Sequence, residues 1–413
     1  MRSESLTAAP RSNSEFNSGR SPLKILSIGH SYAVAANRAT MRAIAEDPAF
    51  DITIAAPVRH AGDLRAVVCE PEPPSSKLRV AALPARWTAR NHVFHFHQNH
   101  LRELRRRADF DVIHMWEEPY VLAGYQIARM WARTAARFCF VTCQNLHKNY
   151  PPPFNWFESA VMRQCQGWIA IGKTVFDNCV RRGYPAQNGR VLPLAVETRL
   201  FRPKTELERA ALRNRLTLTE PVIGFVGRLV PAKGLRIIMQ ALELLPASAC
   251  WSLLLLGSGP LESEIRQWSA RRGWADRVRI LLVKHDEVAE HLPVMDILVA
   301  PSQTTPAWTE QFGRMLIEAF ACGVPVIASD SGEIPHLIAD AGSIVPEHDV
   351  VQWSIEIERY MRDPMLRSKM AALGLTRAQR YSVHQVARLN KEFLINLAGM
   401  NLRSVPAGVT AVL

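Results

Sequence analysis

The chain has 413 residues, enough for two domains with well-buried cores. Hydrophobic residues make up 48% and charged residues 21%, which excludes a disordered chain. The formal net charge of +12 favours anionic partners: nucleotides, nucleic acid or acidic lipid headgroups. No zinc-finger spacing and no aromatic-and-basic single-strand motif occurs, so no nucleic acid partner is expected. Seven cysteines, an odd number without C-x-x-C, fit reduced, mostly buried thiols and a cytoplasmic chain. No apolar run is long enough to span a bilayer, and the Ser-, Asn- and Arg-rich start lacks the apolar segment of a secretory signal.

Residues 1–22 read as a floppy tail, and residues 23–197 as a first domain. Lys24–Gly29 is a buried strand ending in a glycine turn, followed by helical composition over Ala33–Ala45. Asp51–Ala56 is a β-branched strand and Leu78–Leu83 a weaker one. His97–Arg107 reads as a helix whose basic end, Arg105–Arg107, is solvated and suits anionic lipid. Strands at Asp111–Met115, Arg137–Cys143 and Gly167–Ile171 alternate with helices at Tyr120–Arg133 and Thr174–Arg182; the proline-rich Lys148–Asn155 reads as loop. Such alternation predicts an α/β fold with a parallel, doubly wound sheet.

The pattern then restarts, giving a second domain over residues 198–380. The highly charged Glu206–Arg215 reads as a linker and first turn. Strands are expected at Pro221–Val226, Trp251–Gly257, Val278–Val283, Ile297–Ala300 and Val324–Ala328, with Ser343–Val345 a short edge strand. Helices are expected at Gly234–Leu245, Leu261–Arg272, Val288–Leu292, Val351–Tyr360 and Pro364–Ala378. Residues 381–413 hold an amphipathic final helix, Val383–Leu397, and a tail. Trp131, Trp168, Trp251 and Trp268 read as packing residues.

Three loops of the second domain follow strands and should gather along one sheet edge, where open α/β sheets place ligands. The first is Gly227-Arg228-Leu229-Val230-Pro231-Ala232-Lys233-Gly234, with one guanidinium, one ammonium and glycines that admit a close ligand. The second is Gly257-Ser258-Gly259-Pro260, which is not a nicotinamide fingerprint. The third is EQFGRMLIE, residues 310–318, in which Glu310 precedes a helix starting near Phe312 and Gly313, and Glu318 lies about two turns in. A helix start exposes N–H groups that suit an anion. Cations for a diphosphate, with carboxylates for the vicinal hydroxyls of a ribose and a sugar, are what a nucleotide sugar needs. Each short motif alone is as readily a plain βα turn or a solvated helix.

Together, GFVGRLVPAKG (224–234), LLLLGSGP (253–260), DILVAPS (296–302), EQFGRMLIEAFACGVPVIASDSGEIPHLI (310–338) and GSIVP (342–346) resemble the C-terminal domain of family 4 retaining glycosyltransferases, the glycosyl transferases group 1. The resemblance implies the GT-B fold: two Rossmann-like domains facing across a cleft, with the last helix crossing back to the first domain. It implies that Arg228 and Lys233 clamp the donor diphosphate, Glu310 binds donor-sugar hydroxyls and Glu318 the ribose. Gly227, Gly257, Gly259, Gln311, Phe312, Gly313 and Arg314 would line the donor. The nucleotide-diphospho-sugar is then a co-substrate, and no metal or other cofactor is expected. Asp109-Phe110-Asp111 at the start of a strand reads as structural.

The first half resembles the family only in rhythm and in patches such as DVIHMWEEPY (111–120). Where family members carry a glycine-rich loop after the first strand, this chain has a single glycine, Gly29. His30 and Ser31 could donate there instead. Glu117, as a catalytic group, and Glu118 could face the cleft; His147 is a further loop candidate, whereas His114 reads as strand packing. The reading is a retaining glycosyltransferase with a hydroxyl acceptor, of which a lipid-linked glycan at the anionic inner face of a membrane is one class. A nucleotide-sugar epimerase on the same fold and a noncatalytic nucleotide-sugar binder are the alternatives.

Overall fold

A computed structural model of the chain describes residues 21–61 and 66–399. The expected tails lie outside these residues, except for 21, 22, 398 and 399. The first sheet is built from β1 (Leu23–Ile28), β2 (Phe50–Pro57), β5 (Arg79–Leu83), β8 (Val112–Met115), β9 (Arg137–Thr142), β10 (Gly167–Ala170) and β11 (Gly189–Val191). Between them lie two short antiparallel pairs, β3 (Arg59–His60) with β4 (Val67–Val68) and β6 (Ala85–Arg86) with β7 (His95–Phe96). The strand order is β11-β10-β9-β8-β1-β2-β5, and every pairing is parallel. The crossovers carry α1 (Ala39–Ala45), α2 (Gln98–Arg107), α3 (Leu122–Trp131), α4 (Phe154–Met162) and α5 (Lys173–Arg181).

Two expectations fail here for local reasons. The helix expected over 33–45 is broken into single turns at His30–Ala33 and Ala35–Arg38 before α1 begins. Arg38, fully buried, accompanies the break: its guanidinium donates to the carbonyls of Tyr32 (2.7 Å), Ala33 (3.3 Å) and Glu70 (2.6 Å) and to the Glu72 carboxylate (2.8 Å), and Ala33 O also accepts Glu70 N at 2.9 Å. Carbonyls bound by a side chain are diverted from a helical ladder. The proline-rich stretch is a loop only as far as Pro153, which caps α4. Prolines ahead of the first turn are compatible with a helix because those N–H groups have no intrahelical partner.

The second domain opens with α6 (Glu206–Leu216), a full helix where a linker was expected. Its signature is a capping box: Glu208 N donates to Thr205 Oγ1 and Thr205 N to Glu208 Oε2, at 3.3 and 2.7 Å. The sheet contains β12 (Val222–Val226), β13 (Ser252–Leu256), β14 (Val278–Leu281), β15 (Ile297–Ala300), β16 (Val326–Ser329) and β17 (Gly342–Val345). Their order is β14-β13-β12-β15-β16-β17, all parallel, with β17 at the edge. Around it pack α7 (Leu235–Glu243), α8 (Glu262–Arg271), α9 (His285–His291), α10 (Arg314–Ala321), α11 (Ile334–Ile338), α12 (Val350–Arg362) and α13 (Pro364–Arg380); α14 (Val383–Leu397) follows.

Period-two alternation sorts the strand residues onto two faces. Ile223, Phe225, Leu253, Leu255, Ile297, Val299 and Ile327 enter one core, while Leu254, Leu256, Leu298, Val326 and Ala328 join the other. The four tryptophans read as packing are buried. The last helix, α14, returns to the first domain. It lies along α1, Lys391 Nζ meets Asp47 Oδ2 at 3.0 Å, and Phe393 fills the space beside Gly167.

Candidate active site

In each sheet the chain connections reverse direction beside one strand: at β12–β15 in the second sheet and at β1–β8 in the first. The strand ends at such a point leave a crevice. In the second domain that crevice is flanked by the loops after β12 and β15. Lys233 Nζ lies 2.5 Å from Glu310 Oε2 and stands over the Trp308 ring, 4.8 Å from its centroid. Ser302 Oγ donates to the same carboxylate oxygen at 2.8 Å. Glu310 is only 6% exposed, so its charge is balanced by the ammonium and the hydroxyl rather than by bulk water.

Backbone fit explains the glycines. Gly234 has φ 72°, and a Cβ there would sit 1.7 Å from the Pro301 carbonyl oxygen. The close approach of the two loops is what brings Lys233 to Glu310. Gly257 (φ 152°) abuts the Gly227 carbonyl, where an added Cβ would come within 1.9 Å. Gly259 packs on the Leu229 carbonyl, and Leu229 N donates to Ser258 O at 2.9 Å. The first two expected loops are thus joined, and Arg228 stands half-buried on their common edge.

The third loop delivers its residues to different places. Gly313 (φ 87°) precedes α10, so Glu318 lies just over one turn in, not two. Its carboxylate is buried and accepts from, or pairs with, His285 Nε2 at 3.0 Å. His285 follows β14 and the sequence reading passed over it; its place after a strand end was the available signal. Phe312 is buried with its ring edge-on to Tyr381, so it is a packing peg. Gln311 is half-buried. Arg314 reaches the first domain, where Nη1 donates to Asn37 Oδ1 at 2.9 Å.

At the first sheet's reversal, Gly29 has no room for a side chain because a Cβ would lie 2.4 Å from Trp116 O. That glycine serves strand packing. Next to it His30 Nδ1 lies 2.8 Å from Glu117 Oε1, which also accepts from His30 N at 2.6 Å. The His30 ring stacks on His60 with centroids 4.7 Å apart. Ser31 sits in the same turn, half-buried.

The two adjacent glutamates part company. Glu117 goes to His30, but Glu118 turns inward, accepting from Thr142 Oγ1 (2.6 Å) and Cys143 N (2.7 Å), so it is not a cleft group. Burial pushes its carboxyl up to about 7. His147 is exposed on the loop after β9, apart from these clusters. His114 is buried against Ser27 Oγ at 2.7 Å, and burial lowers its pKa to about 4. Asp111 accepts Lys24 N at 2.8 Å, a strand-pairing role. Among the described residues no three His, Cys, Asp or Glu side chains gather as a metal site, and no helix is long and apolar enough to cross a membrane.

Residues 208–375 match the glycosyl transferases group 1 family. A GDP-mannose-dependent monoacylated alpha-(1-6)-phosphatidylinositol monomannoside mannosyltransferase of Corynebacterium glutamicum is 33% identical over 190 residues, 44% of this chain and 49% of that protein. A D-inositol 3-phosphate glycosyltransferase of Segniliparus rotundus is 33% identical over 202 residues, 46% of this chain and 43% of that protein. The matched part therefore spans about half the length of these curated relatives. Among solved structures, Anabaena HepE in complex with UDP superposes with a TM-score of 0.71 at 18% identity, covering 91% of this chain and 100% of that one. The two-domain GT-B fold is therefore the fold of this chain, and its second domain belongs to the glycosyl transferases group 1 family.

Proposed function

We propose that the chain is a retaining glycosyltransferase that moves a glycosyl group from a nucleotide-diphospho-sugar to a hydroxyl acceptor. The observation that carries this reading is the Lys233–Glu310–Ser302 cluster at the reversal point of a group 1 domain. Arg228 and Lys233 stabilise negative charge as it develops on the departing diphosphate. Glu310 accepts hydroxyls of the donor sugar and fixes its position. Glu318, steadied by His285, takes the ribose hydroxyls. The glycosyl carbon–oxygen bond to the diphosphate breaks while one to the acceptor oxygen forms on the same face. The acceptor proton passes to the departing phosphate oxygen, so neither a metal nor a separate base is required.

The acceptor enters from the first domain, where His30, Ser31 and Glu117 offer hydrogen-bonding groups. The relatives' names, and the UDP in the solved neighbour, favour a GDP- or UDP-linked donor and a lipid- or glycan-borne hydroxyl. The net charge of +12 suits work at an anionic membrane surface on the cytoplasmic side. The test is a panel of nucleotide sugars in thermal denaturation, followed by turnover. One donor at a concentration far above its Kd should raise the melting temperature, and Glu310→Ala should abolish the effect with the fold intact. No stabilisation by any nucleotide sugar, or an isomerised donor formed without acceptor, would overturn the proposal.

A further inference from the structure

One contact between the two domains reaches Glu310 directly, and a second reaches it through Glu333. Asn145, buried on the loop after β9, donates Nδ2 to the Glu310 carbonyl at 2.8 Å. The same carbonyl accepts Glu333 N at 3.0 Å. The Glu333 side chain then points the other way, into the first domain. Its Oε1 accepts Lys173 N at 2.8 Å, and its Oε2 accepts Thr174 N at 2.8 Å and Thr174 Oγ1 at 2.5 Å.

Lys173 and Thr174 are the first two residues of α5. The residue preceding that helix is Gly172, which has no side chain to cap it. The opening N–H groups of a helix need acceptors and favour negative charge. Here the acceptor comes from the other domain. The fit is close: a Cβ on Gly172 would lie 2.4 Å from Glu333 Cδ, and Glu333 is 3% exposed. An ordinary surface contact between domains would not bury a carboxylate against three donors. Nor would it share a hydrogen-bonded path with the residue proposed to hold the donor sugar.

We propose that Glu333 and Asn145 form a clasp that closes the two domains and, through the Glu310 carbonyl, sets the donor-sugar carboxylate in place. Both are positioning residues, and the coupling rests on the reading of Glu310 given above. Closure and donor gripping then form one equilibrium. Loosening the clasp lowers the fraction of closed molecules, and the apparent donor affinity falls by that fraction. Saturating donor restores the closed state, so the donor KM rises while kcat holds.

The test uses the full chain. Solution X-ray scattering without ligand should give a larger radius of gyration for Glu333→Ala than for the unsubstituted protein. GDP and UDP serve as binding probes, and the better one should bind this variant about tenfold more weakly. With an active donor, KM should rise by a similar factor and kcat should change less than about twofold. Thr174→Val removes one hydrogen bond and leaves the carboxylate; it should shift the same readouts in the same direction by less, and it decides the question if Glu333→Ala does not fold. Scattering curves matching the unsubstituted protein in the folded variants would overturn the clasp. Domain opening with an unchanged KM for the active donor, whose sugar Glu310 holds, would overturn its link to Glu310. If no donor is turned over, the proposed activity fails while scattering and nucleotide binding still decide the clasp.

Discussion

At the reversal point of the second sheet the facing groups are an ammonium and a carboxylate, Lys233 and Glu310, 2.5 Å apart. At the equivalent point of the first sheet they are an imidazole and a carboxylate, His30 and Glu117, 2.8 Å apart. The same topology places both pairs, one at each sheet's crevice. They differ in the chemistry they can do. An ammonium keeps its charge near neutral pH and suits a permanent anion such as a diphosphate, whereas an imidazole can exchange a proton and suits a hydroxyl. Their settings differ too. Glycines at 227, 234, 257 and 259 pave the second crevice, whereas the space beside Gly29 is taken by the Trp116 backbone. The second domain is thus shaped for charge and the first for hydrogen bonding.

The largest expected effect breaks the charged side. Glu310→Gln should lower turnover about 100- to 1,000-fold, the scale seen when one preorganised electrostatic contact is lost. Release of nucleoside diphosphate measures this, with circular dichroism checking the fold. A variant retaining a tenth of its activity would remove Glu310 from the proposed mechanism. Next comes the backbone that brings the pair together. Gly234→Ala combines a positive φ with a clash against the Pro301 carbonyl and should cost about 2 kcal/mol or more in denaturant unfolding. Gly183→Ala has a similar φ of 91° but nothing within 4 Å, so its cost should stay near 1 kcal/mol. Equal costs would show that the loop contact contributes nothing.

The first-domain pair should matter less. If the departing phosphate takes the acceptor proton, Glu117→Gln should leave turnover within about tenfold of the unsubstituted protein. Loss of a true general base costs about 100- to 10,000-fold. A fall as deep as that of Glu310→Gln would make His30 and Glu117 the proton-handling pair and reverse the division of labour between the domains.

The legibility of the sequence follows the same divide. In the second domain, buried strands, their glycine turns and the residues after them are contiguous, so Arg228, Lys233, Glu310 and Glu318 could be singled out from local pattern. Ser302 ends the recognisable DILVAPS segment, yet its bond to Glu310 depends on a loop folding back. Asn145 and Glu333 act across domains, at separations of 165 and about 160 residues from their partners, and nothing local marks them. The α6 helix was legible in principle through Thr205 and Glu208, but its charge obscured it. The broken turns before α1 were not, because the Arg38 contacts that accompany them reach Glu70 and Glu72.

The smallest expected effect concerns Glu118, a cleft candidate from the sequence beside the catalytic candidate Glu117. Its carboxyl, held by Thr142 and Cys143, is raised from the ordinary 4.5 to about 7, desolvation being the main cause. A raised carboxyl binds more protons in the folded than in the unfolded state between those values. Stability from this group is therefore full below about pH 4.5 and is lost as pH rises through 7. Glu118→Gln keeps a carbonyl for the Cys143 amide and removes the titration. Relative to this variant, the unsubstituted protein should lose up to about 3 kcal/mol of unfolding free energy across that window, read by urea denaturation at several pH values. Turnover at a single pH should follow folded fraction alone, in contrast to Glu117→Gln. If the two proteins show parallel pH profiles, the Glu118 carboxyl is not raised. If Glu118→Gln instead loses activity while fully folded, the inward-facing glutamate belongs with its neighbour in the first-domain crevice after all.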